Sequence, residues 1–121
     1  MSDWEEDFEF QRVRHLIQQR FGRPGLPNMD SLLFLIGVQE LGRWRQDFTK
    51  EEKQDLMHVA VCRLFAPDGH YEFVGRDDEG WPHYRLTGKI PPQDLAGQEA
   101  LLKQKIVAYF RELEETEGLL G

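Results

Sequence analysis

His58 and Cys62 stand four residues apart in the stretch KEEKQDLMHVAVCRLF, so on a helix their side chains share a face. An imidazole beside a thiolate is half of a zinc site, and His70 and His83 are the residues that would complete it. The spacing from His58 through Cys62 to the later histidines matches no recurring zinc pattern. A Cys–His nucleophile has less support still. A reactive thiolate needs partial exposure and a positive setting, whereas Cys62 lies between Val61 and Leu64 on an apolar helix. The expectation is a thiol used as small apolar filler, with no metal and no cofactor.

A second group lies in DDEGWPHYRLTG, residues 77–88. Asp77, Asp78 and Glu79 would need a dry pocket to act as general acids, and a hairpin tip is wet. The calcium-loop pattern of alternating acids closed by glycine is absent. These acids therefore read as solvated turn residues. Trp81, Pro82 and His83 follow on a strand that proline confines to its own start or to an edge. With Trp44, they are the candidate surface for contact with another protein, since partly exposed aromatics near arginine are usual interface anchors. The competing expectation is that each ring, including that of Trp4, folds back over the core.

Neither G-x-G-x-x-G nor G-x-x-x-x-G-K-[ST] occurs, so nucleotide phosphates find no cradle, and G-x-S-x-G is missing as well. No residue is identified as catalytic.

The elements that must position these groups follow from periodicity. Ser2 to Glu5 fits a capping box, and Phe10, Val13, Ile17 and Phe21 share one face of a helix over 3–21. Asn28 is a candidate cap for a second helix over 29–41, whose run LLFLIGV leaves almost no polar face and predicts a central position. Gly37 in its middle predicts close approach of another backbone. Thr49 to Glu52 is a second capping box, opening a helix over 50–64 with Leu56, Met57, Ala60, Val61 and Leu64 inward. The period then changes to two in HYEFV and HYRLT, around GRDDEG, which predicts a β-hairpin. Asp94 caps a last helix to 115, with Leu102, Ile106, Phe110 and Leu113 as its buried stripe. The expected fold class is α+β in the order α-α-α-β-β-α. It forms a single domain over 1–121, ordered over about 3–115 and frayed at 116–121.

Three helices followed by a hairpin is the order of winged-helix domains, and YRLTGK is similar to the wing-closing strand of small bacterial winged-helix regulators. That resemblance implies a DNA-binding regulator, with Arg43, Arg45, Lys50 and Lys53 on phosphates at the start of the recognition helix and a homodimer through the last helix. Against it, Glu51, Glu52 and Asp55 on that same helix would repel a phosphate backbone, and only Gln54 offers a base reader. PNMDSLLFLIGVQELG, FTKEEKQDLMHVAVC and EGWPH together resemble a family of small bacterial proteins of unknown function, over most of 27–110. That resemblance implies a shared fold and supplies no activity.

Composition sets the outer bounds. The chain has 121 residues, 40% hydrophobic and 31% charged, which suits a packed core without disulfides. A net charge of −7 argues against binding nucleic acid through overall charge. The acidic start lacks a secretory pattern, the longest apolar run is seven residues, and the lone Cys62 suits a reducing compartment. The expectation is a cytoplasmic, non-enzymatic interaction or regulatory module whose partner is another protein. A DNA-binding regulator is the alternative, and a metal or small-molecule site near His58 and Cys62 is the third.

Overall fold

Among the described residues four helices and one antiparallel hairpin form in the order α-α-α-β-β-α, which is the α+β arrangement expected from the sequence. The computed structural model describes residues 3–22, 24–88 and 95–117. The helices are α1 (Asp3–Phe21), α2 (Met29–Leu41), α3 (Lys50–Phe65) and α4 (Leu95–Glu117). A 3-10 turn, Ala66–Asp68, leads into strands β1 (Tyr71–Arg76) and β2 (Pro82–Leu86). The expected caps at Ser2 and Asp94 lie outside the described residues. Among the described residues no helix is long and apolar enough to cross a membrane.

The chain divides into two compact units, one of Met1–Asn28 with Pro92–Gly121 and the other of Met29–Pro91. In the first unit α1 packs on α4. Phe10, Val13 and Ile17 are buried on α1, and Ile106, Tyr109, Phe110 and Leu113 on α4. Ion pairs join Arg12 to Glu114 at 3.3 Å and Arg111 to Glu9 at 2.8 Å. Two expectations change here. Phe21 is 51% exposed, because the helix ends there and its ring lies beyond the packed stripe. Tyr109, left out of the predicted stripe of α4, is buried beside Phe110, while Leu102 is only half-buried.

The second unit carries the candidate residues. Leu32, Leu33, Ile36, Gly37 and Leu41 of α2 are buried, as its apolar run requires. Gly37 packs against the backbone of α3. A Cβ placed there would stand 2.6 Å from the Leu56 carbonyl carbon and 2.8 Å from the Leu56 Cβ, with the carbonyl oxygen nearer still. Glycine thus lets the helices cross closer than any side chain would allow. Leu56 continues into a cluster with Leu41 and Phe48, against which Phe34, Val38 and Trp81 pack.

The predicted capping box opens α3. Glu52 N donates to Thr49 Oγ1 at 3.1 Å, and Thr49 N donates to Glu52 Oε1 at 3.0 Å. The inward face of α3 is broader than expected. Val59, Cys62 and Phe65 are buried with Leu56, Ala60 and Leu64, whereas Met57 and Val61 are half-buried. A helix packed by α2 on one side and by the strands on another buries more than one stripe.

In the hairpin, Tyr71 faces Leu86 and Phe73 faces Tyr84, and then the register shifts between Phe73 and Gly75. Gly75 has φ +144°, a conformation that suits glycine, so the bulge forms where the sequence allows it. Strand β2 starts at Pro82, as its missing amide hydrogen predicts.

The Gly37 contact generates the first prediction. Helix propensity alone favours Gly37→Ala by about 1 kcal/mol. The overlap with backbone should outweigh this and leave the protein less stable by about 1–2 kcal/mol in urea unfolding. Unchanged or increased stability would mean that α2 and α3 do not cross at this point.

Candidate functional site

The side chains that face the hairpin from α3 are Glu52, Asp55, His58 and Cys62, three or four apart along one helix face, with Val59 beside them. Opposite them stand Asp77, Glu79 and Trp81 of the connecting loop and Pro82, His83 and Tyr84 of β2. Together they line an open groove of about 570 Å³, within the usual size range of ligand sites. His58, Cys62, Trp81, Pro82 and His83, separated by up to 25 positions in sequence, therefore converge on one cavity.

The loop holds its shape through Asp77. Its Oδ1 accepts hydrogen bonds from Glu79 N at 2.9 Å and Trp81 N at 3.0 Å, while Oδ2 meets His83 Nε2 at 2.9 Å. Backbone bonds from Asp77 N to the Trp81 carbonyl and from Gly80 N to the Asp77 carbonyl, both 3.0 Å, close the turn. The hydrogen bond from His83 and those from the Trp81 and Glu79 amides hold the Asp77 carboxyl below its usual value, against a small opposing desolvation. Reading Asp77 as a merely solvated turn residue is thus corrected, because a short carboxylate that accepts local amides organises the turn.

A second anchor was not foreseen in the sequence. Arg76 at the end of β1 donates from Nη2 to the Glu40 carbonyl at 2.7 Å and from Nη1 to the Gly80 carbonyl at 2.8 Å, with the Leu41 carbonyl at 3.5 Å. A cation on the last carbonyls of α2 satisfies groups the helix cannot, and it suits the negative end of the helix. Arg43 adds a bond to the Glu79 carbonyl at 2.5 Å. The only sequence signal was an arginine beside the turn, because its partners lie 35 and 36 positions away.

The candidate contact residues differ in exposure. His83 is exposed, Trp81 is half-buried against the Leu41, Phe48 and Leu56 cluster, and Pro82 is buried. Pro82, expected as part of the contact surface, is buried and forms wall, with Trp81 and His83 as the accessible part. Trp44, 57% exposed, does not line the groove. Its ring stands edge-on to Phe34 at 6.1 Å and Phe48 at 6.3 Å.

The basic cluster is partly consumed internally. Arg45 pairs with Glu52 at 2.6 Å and lies over the Phe48 ring, 4.6 Å from its centroid. Glu52 in turn is held below the usual carboxylate range by its bond from the Thr49 backbone and then by Arg45. Lys50 and Lys53 are exposed.

Cys62 is 2% exposed, with its Sγ 3.5 Å from His58 Nε2. Burial pushes its thiol up to about 11, so the sulfur is neutral near pH 7 and a poor nucleophile or metal ligand. His70 lies outside the groove, edge-on to Phe65 at 5.8 Å. Among the described residues, no group of three or more His, Cys, Asp or Glu could hold a metal ion. What the groove offers instead is aromatic and aliphatic surface from Val59, Trp81, Pro82 and Tyr84 alongside four carboxylates.

No protein-family model, curated protein or solved structure matches the chain.

The pH behaviour of the turn follows from the sign of the Asp77 shift. A carboxyl held below its ordinary value stabilises the fold above that value, about pH 4, and loses the contribution as pH falls through the folded value. In an NMR titration, the Glu79 and Trp81 amides should move together with one midpoint below about 3.9, and Asp77→Asn should abolish that titration. A common midpoint at or above the ordinary value would contradict the assignment.

Proposed function

We propose that this protein is a non-enzymatic interaction module that receives a short segment of a partner protein in the groove between α3 and β2. The observation that carries the reading is the convergence of the α3 stripe with Trp81, Pro82 and His83 on one cavity. Preformed concavity, a half-buried tryptophan and a polar rim are the usual ingredients of a binding hot spot. The loop is fixed by Asp77 and Arg76 before any partner arrives, which lowers the ordering cost of association.

Chemistry by the groove's own residues has less support. The neutral, buried Cys62 is unsuited to attack, and the Asp77–His83 pair stands in water, with side-chain exposures of 42% and 61%. The DNA-binding alternative is weaker because Arg43 and Arg45 are engaged within the fold, leaving Lys50 and Lys53 beside exposed acids. Kinship with small bacterial proteins of unknown function and a cytoplasmic location belong to the same proposal. The lone Cys62, with no second cysteine to pair with, suits a reducing compartment. A homodimer through α4 would be a separate arrangement that the groove does not require.

Panning a displayed library of random peptides against the intact protein tests this reading. Enriched peptides should bind the wild type and lose at least about tenfold in affinity to His58→Trp, whose indole would plug the groove from an exposed helix position. Circular dichroism and thermal melting confirm that the variant is folded. If every enriched peptide binds the plugged protein equally well, the groove is not the docking surface.

A further inference from the structure

Resting on the reading of this groove as a peptide site, we propose that its occupant presents an arginine side chain. Among the described residues four carboxylates line the cavity, and neither lysine nor arginine does. Two of the four are already engaged: Glu52 by Arg45 at 2.6 Å, and Asp77 by His83 at 2.9 Å and by the Glu79 and Trp81 amides. Among the described residues, neither the Asp55 carboxylate on α3 nor the Glu79 carboxylate on the loop has such a partner, Arg43 meeting Glu79 at its carbonyl, and they line the cavity from the helix side and the loop side. Placed in that cavity, an anionic or neutral segment would leave both carboxylates desolvated without compensation, which is costly. A cationic group restores the balance.

The aromatic surface decides which cation. Trp81 is half-buried, backed by the Leu41, Phe48 and Leu56 cluster, and lines the cavity, so it contributes aromatic surface at little entropic cost. A guanidinium is planar and weakly hydrated, stacks on aromatic faces, and carries five donors that fork onto carboxylates. An ammonium is a compact and strongly hydrated point charge, poorly matched to an apolar surface. The cavity, about 570 Å³, holds more than one side chain, leaving room for the residues on either side of the arginine. Val59 and Pro82 supply apolar wall for those neighbours.

The test uses three blocked pentapeptides that differ only at the centre, with arginine, lysine or norleucine between alanines, added to the isotopically labelled full chain. The arginine peptide should shift the Trp81 indole and the Glu79 amide, and the double variant Asp55→Asn, Glu79→Gln should weaken it at least about tenfold. Lysine should bind several-fold more weakly than arginine, and norleucine should leave these signals in place. Lysine or norleucine binding as tightly as arginine would overturn the proposal, as would equal binding to the double variant or shifts confined to α1. The library separates the two levels. Groove-dependent peptides without a basic residue would remove the arginine and keep the peptide site, whereas peptides indifferent to His58→Trp would remove both.

Discussion

The close crossing of α2 and α3 is the constraint on which the second unit depends. With no Cβ at Gly37, the α2 backbone rests directly on the Leu56 carbonyl, and the same Leu56 side chain reaches the cluster that backs Trp81. One contact therefore sets both the depth of α3 and the seat of the loop. If the helices moved apart, the stripe Glu52, Asp55, His58 and Cys62 would withdraw from the hairpin, and the groove would lose a wall. The apolar run on α2 supplies the driving force, since Leu32 and Ile36 are fully buried, and glycine supplies the geometry.

Polar bonds then convert that packing into a defined site. Arg76 ties the end of β1 to the last carbonyls of α2, and Asp77 folds the loop onto its own amides. These bonds end on backbone amides and carbonyls, so Trp81 and His83 are held in place. The remaining acidity follows from accounting by partner: the capping residue Glu52 and the turn residue Asp77 are spoken for, and Asp55 and Glu79 are left facing the cavity. Unpaired carboxylates beside the aromatic surface of Trp81 are the physical basis of the functional reading.

Much of this was legible from residue types. The Thr49–Glu52 capping box, the strand start at Pro82 and the need for close approach at Gly37 all rest on local stereochemistry, and each took its expected form. Burial was less legible where a residue touches more than one neighbour. Val59 and Phe65 fell outside the stripe drawn for a one-sided helix, and Phe21 inside a stripe that ends before it. The role of Asp77 was missed because composition marks a hairpin tip as wet without saying which amides a carboxylate will find. Arg76 was missed because its partners are distant in sequence. The groove itself combined residues that had each been weighed singly; the regular spacing of Glu52, Asp55, His58 and Cys62 was the available sign that they share a face.

The most direct measurement of the central claim is the nuclear Overhauser spectrum of the native protein around Gly37. The Gly37 α-protons should show strong cross-peaks to the Leu56 side chain, and Leu56 should connect in turn to the Trp81 indole. A folded protein with helical shifts for α2 and α3 but neither set of cross-peaks would contradict the crossing, and with it the groove that the crossing supports.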